Sequence, residues 1–200
     1  MKVWNEVPEN QANQVLGTRW VYKSKRDHTG NIIQHKAWVV VKGYHQIERL
    51  IFDETFSPMS TFASLSSLFA IASANGLEVR TFDVTTAYLH SSIKEDIFVK
   101  PPPGLFIPSG AVLKLNKALY GLKQAGRCWW RHLRVILEKL DFQANDKDHN
   151  TYTYNRNGER AVLWMQIDDG VITASSKALM IRLRDVLSVR FDYETISKNY

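Results

Sequence analysis

Short apolar runs broken by basic residues mark two neighbouring stretches near the start of the chain, "RWVYKSK" (19–25) and "NIIQHKAWVVVKG" (31–43), as β-rich. Their β-branched and aromatic content, joined through Asp27 to Gly30, predicts an antiparallel hairpin with basic residues along it. A helical spacing follows. After Pro58, Ser60 or Thr61 stands where a helix needs a cap, Phe62, Leu65, Phe69 and Ala72 recur at helical spacing, and Asn75-Gly76 stops the run. "RTFDV" (80–84) reads as a short buried strand. "RCWWRHLRVILEKL" (127–140) places Trp129, Leu133, Ile136, Leu137 and Leu140 on one face and most of its arginines on the other, the pattern of an amphipathic helix. Asn157-Gly158, a dipeptide that accepts positive φ, separates two β-rich runs at 151–155 and 160–167 and predicts a hairpin. Asp169-Gly170, between two further apolar runs, is another hairpin-turn signal, and Met180, Leu183 and Leu187 mark a last helix near 177–190. Strand, helix, strand hairpin and helix together predict an α+β fold with an antiparallel sheet packed on helices.

Composition narrows the class. The 200 residues, 44% hydrophobic and 23% charged, suffice for one packed domain. No apolar run approaches the roughly 18 residues of a membrane span, and the first thirty residues lack a signal-peptide apolar core. The expectation is a soluble, intracellular chain without a membrane partner. Cys128 is the only cysteine and the histidines are scattered, which excludes a disulfide framework and a Cys/His zinc site. The net charge of +6 is unevenly spread. Lys114, Lys117, Lys123, Arg127, Arg131 and Arg134 have no acid between them, and Arg19, Lys23, Lys25, Arg26, Lys36, Lys42 and Arg49 are opposed only by Asp27 and Glu48. Such clusters suit a polyanion, whose counterions they release, or form an ordinary solvated basic face.

The candidate chemistry starts at "LWMQIDDGVITAS" (163–175). In isolation Asp168-Asp169-Gly170 is a solvated turn, because water screens the acids and Asp accepts turn geometry. In a confined site each of the two carboxylates raises the other's pKa unless a cation is present, and hard oxygen ligands suit Mg²⁺. Such a site asks for another acid from a distant strand. Asp83, at the end of the apolar "TFDV" strand, is the best candidate; its alternative is a strand-end cap or turn residue. Two metal ions bridged by such acids activate a primer 3′-hydroxyl and stabilise a leaving pyrophosphate.

Three segments carry a resemblance: "FDVTTAYLHSSIKEDIFVKPPPGL", "LNKALYGLKQAGRCWW" and "LWMQIDDG", in this order and spacing. With "RWVYKSKRDHTGNIIQHKAWVVVKGYHQ" and "FDETFSPM" upstream, the chain resembles the reverse transcriptase domain of Ty1/copia-type retrotransposons over nearly its whole length. The resemblance implies the fingers and palm of a right-hand polymerase, with a fingers hairpin region at about 15–60 and a palm over 61–200 with a fingers insertion near 100–130. It implies that Asp83, Asp168 and Asp169 are the catalytic acids, holding two Mg²⁺ ions together with the Val84 carbonyl. Tyr88 matches the aromatic position beneath the incoming sugar, where its ring excludes a 2′-hydroxyl; its alternative is a core tyrosine. Gln124 matches a residue expected near the incoming nucleotide, Lys25 and Lys23 are expected to pair with the triphosphate, and Arg127, Arg131 and Arg134 are candidate template-primer contacts or a solvated helix face. The implied function is RNA-directed DNA synthesis by a piece of a retrotransposon Pol polyprotein, with RNA template, DNA primer and dNTP as partners and a cytoplasmic location.

The chain departs from this pattern at several points. The family usually reads Lys-Ala-Arg-Leu-Val where Lys36-Ala37-Trp38-Val39-Val40 stand, and indole replaces the stacking of an arginine but neither its charge nor its fork. Bulkier residues occupy Arg49 and Ile51, where the family commonly has Gly and an acid, and Gln166 replaces an aromatic or histidine. The chain ends at Tyr200, soon after the last helix, so a thumb is expected to be missing and grip on a template-primer to be poor. The alternative function is therefore a catalytically inactive retrotransposon remnant that at most binds nucleic acid. Another two-metal palm enzyme, such as a nucleotide cyclase, is disfavoured by the Gln124 motif and the basic hairpin.

Overall fold

In the computed structural model, which describes residues 2–47, 55–191 and 193–194, the β-rich stretch near the start folds into the expected hairpin. The chain forms β1 (Trp4–Pro8), β2 (Val15–Leu16), β3 (Thr18–Arg26) and β4 (Ile32–Val41), then α1 (Phe62–Ala74), β5 (Glu78–Val84) and α2 (Ala87–His90). There follow β6 (Phe98–Val99), β7 (Ala111–Leu115), α3 (Ala125–Glu138), β8 (Phe142–Ala144), β9 (Thr151–Arg156), β10 (Glu159–Gln166), β11 (Asp169–Ala174), α4 (Lys177–Arg190) and β12 (Tyr193–Glu194). The α+β expectation holds. The departures noted at Arg49 and Ile51 lie outside the described residues.

The chain divides into two compact units, residues 1–55 with 91–128, and 56–90 with 129–200. In the first, β1, β7, β6 and β2 form a four-stranded sheet in which only β2 and β6 are parallel, while β3 and β4 pair with each other alone. The β3–β4 turn is held by Asp27, whose Oδ1 accepts from the Thr29 and Asn31 backbone N–H groups, both at 2.9 Å. The base of that hairpin is tied to the "YGLKQ" segment by the Val41 N–H, which donates to the Tyr120 carbonyl at 2.9 Å.

The second unit is built on a six-stranded antiparallel sheet in the order β12, β5, β11, β10, β9, β8. The nearly continuous apolar runs of β10 and β11 put buried residues on both faces of this sheet. Leu163, Met165 and Ile172 on one face pack with Phe82 and Val84 against Leu133 and Leu137 of α3 and Leu179 and Leu183 of α4. Trp164 and Val171 on the other pack against Leu68 and Leu65 of α1. The predicted amphipathic face of α3 is the buried one: Trp129, Leu133 and Leu137 are in the core, with Ile136 and Leu140 packed at its edge.

The expected face of α1 needs correction. Thr61 caps it, accepting at Oγ1 from the Ser64 N–H, but Phe62 is 81% exposed and Phe69 45% exposed, while Leu68 and Ala72 are buried. The sequence "FASLSSLFAIASA" is apolar on most sides, so periodicity does not single out a face, and the sheet selects Leu68 over Phe69 by fit. The cap itself belongs to a half-buried network: Asp148 Oδ2 accepts from the Thr61 N–H at 2.9 Å, and Asn150 Nδ2 donates to the Pro58 carbonyl at 2.7 Å. No helix among the described residues is long and apolar enough to cross a membrane.

Candidate active site

The site grows from the end of the six-stranded sheet where β5 and β11 meet. Both strands pair antiparallel with Asp169 directly opposite Asp83, Gly170 opposite Phe82 and Val171 opposite Thr81. Directly opposed residues share a face, so the two carboxylates stand side by side at the sheet end, an arrangement that repulsion disfavours. The Val84 N–H donates to the Asp168 carbonyl at 2.8 Å, which pins the acid turn to the end of β5. The Asp168-Asp169 pair is thus not a loop ornament; Asp169 is a strand residue, and Asp168 sits on the turn beside it.

The turn lies earlier than expected. Asp169-Gly170 was the predicted turn pair, yet Gln166 pairs with Asp169 and the turn residues are Ile167 and Asp168. Ile167 carries a φ of 59°, a region that a β-branched residue enters only at a cost of about 1–3 kcal/mol. Two contacts from neighbouring elements hold it there: the Val84 bond to Asp168, and Trp129 Nε1, which donates to the Ile167 carbonyl at 2.7 Å. Gly170 is required for a reason the turn signal does not contain. A Cβ at this position would lie 2.3 Å from Phe82 Cζ, so only glycine lets the buried Phe82 ring pass beneath the acid strand.

Electrostatics follow the crowding. The Asp169 carboxyl, although it still reaches solvent, is held above the usual carboxylate range, first by desolvation and then by the charges of Asp168 and Asp83. Tyr88, half-buried on α2 at the edge of the core, keeps its proton to higher pH than usual, through burial first and the Asp168 charge second. Asp83, Asp168, Asp169, Val84 and Tyr88 therefore converge in the second unit. Among the described residues no group of three or more His, Cys, Asp or Glu is arranged to hold a metal ion by itself. The donor set nonetheless suits a hard dication: Mg²⁺ draws one or two carboxylates from a protein and the rest from water and phosphate, and here the carboxylates repel one another.

Lys23 and Lys25 are exposed on β3 and, with Gln124, belong to the first unit. Gln124, expected beside a nucleotide, is 1% exposed, and its Oε1 accepts from Gln46 Nε2 at 2.9 Å. Gln46 Oε1 in turn accepts from the Lys123 N–H at 2.8 Å, so in this conformation the amide pair braces the "YGLKQ" segment from inside. Arg134 is engaged by Glu138 at 2.7 Å and lies over the Trp130 ring, Arg131 is exposed on the same helix, and Arg127 is half-buried in its first turns.

Residues 1–199 match the family described as reverse transcriptase (RNA-dependent DNA polymerase). The chain belongs to the reverse transcriptase family. This reverse transcriptase domain is of the Ty1/copia type. It is 33% identical over 96% of its length to the retrovirus-related Pol polyprotein from transposon TNT 1-94 of Nicotiana tabacum. It is 33% identical over 94% of its length to that from transposon RE1 of Arabidopsis thaliana. It is 25% identical over 98% of its length to the transposon Ty1-BL Gag-Pol polyprotein of Saccharomyces cerevisiae. The chain spans 14%, 13% and 11% of these relatives' own lengths.

Two residues with long-range tasks in the second unit were missed in the sequence. Trp129 read as one more core residue of an amphipathic helix, and only its indole N–H, aimed at the acid turn, gives it a second task. Asp148 sits in "NDKDHNT", a polar run that resembles any loop, yet it is 7% exposed and accepts from the N–H of Thr61, the cap of α1.

Proposed function

We propose that this reverse transcriptase domain copies RNA into DNA by joining dNTPs to a primer 3′-hydroxyl, with Asp83, Asp168 and Asp169 as the acids of a two-Mg²⁺ site. The observation that carries the reading is the register of β5 and β11, which sets Asp169 opposite Asp83 with Asp168 on the adjoining turn. Asp83 and Asp168 would hold the ions most directly, with Asp169 and the Val84 carbonyl as further ligands. When bound, Mg²⁺ lowers the pKa of the attacking hydroxyl and neutralises charge on the leaving pyrophosphate. The protein's part is to set three carboxylates on a strand end and a pinned turn, so that little reorganisation is needed when cation and nucleotide arrive. Tyr88 lies beneath the sugar and excludes the 2′-hydroxyl, which favours dNTPs. Lys25 and Lys23 take phosphate oxygens, Arg127, Arg131 and Arg134 lie along the template-primer, and Gln124 shapes the nucleotide's surroundings through the segment it braces.

The division into two units supports reading residues 15–60 as a fingers hairpin region with an insertion near 100–130, and most of 61–200 as palm. The setting is a retrotransposon Pol polyprotein acting on its RNA in the cytoplasm. A second reading, a domain that binds nucleic acid without catalysis, is favoured by Trp38, which removes a guanidinium from the basic hairpin. Primer extension on poly(rA)/oligo(dT) with Mg²⁺ separates the two. Incorporation by the parent that is abolished in Asp168→Asn supports the polymerase; incorporation that persists in Asp168→Asn sinks the two-metal assignment, and none in either leaves the second reading in its place.

A further inference from the structure

Helix α1 carries more apolar surface than the sheet covers. Leu68 and Ala72 are buried against the sheet, while Phe62, 81% exposed, and Phe69 stand two turns apart on the outer face. Ser66 and Ala70 lie beside this aromatic ridge, Ile71 is half exposed beyond them, and Met59, just ahead of the helix, is 83% exposed. No charge interrupts the surface. From Thr55 to Leu77 there is no Asp, Glu, Lys or Arg, the longest such run in the chain, where the overall 23% would give about five. The exposed side chains are also held in place. Asp148 accepts from the Thr61 N–H and Asn150 donates to the Pro58 carbonyl, so the segment from Met59 to Phe62 is displayed from an anchored backbone, which lowers the ordering cost of any contact it makes.

We propose that the outer face of α1 is the contact between two copies of this chain, packed about a two-fold axis with the two helices antiparallel. The area suits a second copy. At roughly 200 Å² for a large side chain, Met59, Phe62, Phe69 and Ile71 leave about 500 Å² uncovered, and the small residues between them bring the face near the roughly 600–800 Å² a side of a small specific interface. A patch of that size lies at the upper end of what a monomer leaves bare. Charge selects the same occupant. Two chains of net charge +6 repel over most of their surfaces, and this uncharged face is where they approach without opposing like charges. A nucleic acid or an acidic protein finds no cation to pair with here. The face also complements itself: on an antiparallel pair the Phe62–Phe69 ridge of one copy meets the Ser66–Ala70 side of the other, and each contact forms twice, as a closed two-fold interface requires. This inference stands on α1 and not on the polymerase reading.

The test is sedimentation velocity of the nuclease-treated 200-residue chain over about 1–200 µM, in about 0.1 M and about 0.5 M NaCl. A monomer–dimer equilibrium with Kd on the order of 1–100 µM is expected, undiminished at the higher salt because the contact is apolar. Phe62→Glu weakens it about 30-fold or more, the loss of a buried aromatic anchor, yet keeps the helix, since its first turn favours an acid. Phe69→Ser weakens it likewise, and Val189→Glu, at an 84% exposed residue of α4, leaves it unchanged. Circular dichroism of each variant separates lost association from lost folding, and either phenylalanine variant retains the test should the other unfold. A parent that stays monomeric at the highest concentration overturns the proposal; co-sedimentation with phosphatidylcholine vesicles then distinguishes a lipid surface from another segment of a longer polyprotein as the occupant. A dimer that dissociates in the higher salt overturns it too, because the contact would then be one of charges. So does a dimer untouched by Phe62→Glu and Phe69→Ser, or one lost equally in Val189→Glu.

Discussion

Replacing Gly170 by alanine tests whether the meeting of β5 and β11 sets the acid geometry. The added Cβ falls 2.3 Å from Phe82 Cζ and 2.6 Å from both Cε atoms. Carbon atoms rest at about 3.5 Å or more, so the ring has to retreat by roughly 1 Å. Phe82 is 7% exposed and packed in the main core, which leaves it little room to do so. Overpacking of this kind costs about 1–3 kcal/mol. If the strands part instead, the displacement is felt one residue away, between Asp169 and Asp83, and on the proposed polymerase reading a shift of about 1 Å there lowers turnover by up to about 100-fold. Urea unfolding and primer extension would be measured on the parent, Gly170→Ala, Phe82→Leu and the double variant. Phe82→Leu alone destabilises by about 1–2 kcal/mol through lost packing, and in the double variant the leucine relieves the clash, giving a favourable coupling of about 1–2 kcal/mol. A Gly170→Ala chain within about 0.5 kcal/mol of the parent, or strictly additive changes in the double variant, would refute the reasoning, since either result means that the two residues do not press on each other.

Other expectations follow from the same contacts. Trp129→Phe keeps most of the buried ring but removes the donor to Ile167; the chain loses about 1 kcal/mol by urea unfolding, and proteolysis at the acid turn becomes faster than in the parent. Asp169→Asn stabilises the metal-free chain at pH 7. Its folded pKa lies above the unfolded value, so the stability tied to the protonated form is present below pH 3.8 and lost as pH rises through the folded value. The advantage of Asn, read from thermal melts, therefore shrinks as pH falls. Asp148 has the opposite sign. Burial alone would raise its pKa, but hydrogen bonds from Ser64, Thr61 and Asn150 hold it low, so its contribution is present above pH 3.8 and is lost in acid below that; Asp148→Ala costs about 2–4 kcal/mol at pH 7 and flattens the acid limb of the melt. Tyr88→Ala, on the proposed polymerase reading, raises incorporation of rNTPs relative to dNTPs, and unchanged discrimination in primer extension removes Tyr88 from the sugar-sensing role.

The local elements were legible because local chemistry specifies them. Asn157-Gly158 forms its turn with φ of 52° and 80°, the Asp27 loop closes on its own backbone, and Thr61 caps α1 through the Ser64 N–H. Each of these needs only residues within a few positions of one another. The buried face of α1 was not legible, because an apolar helix offers several faces and the sheet chooses among them.

For the site, the sequence by itself determined the inventory: three acids in apolar surroundings, a tyrosine five residues beyond the first of them, and a basic hairpin that carries Trp38. Tertiary structure decided where those groups act. The turn moved from Asp169-Gly170 to Ile167-Asp168 because register with β5 and the bonds from Val84 and Trp129 outweigh the turn preference of Asp-Gly. Gly170 then serves the Phe82 ring and not the turn, and Gln124 turns inward to Gln46, a partner 78 residues away. The physical reason is common to all three. A dipeptide's preference is worth a kcal/mol or so, whereas a buried contact between distant strands combines packing and hydrogen bonds whose loss costs several, so the long-range contact wins wherever the two compete.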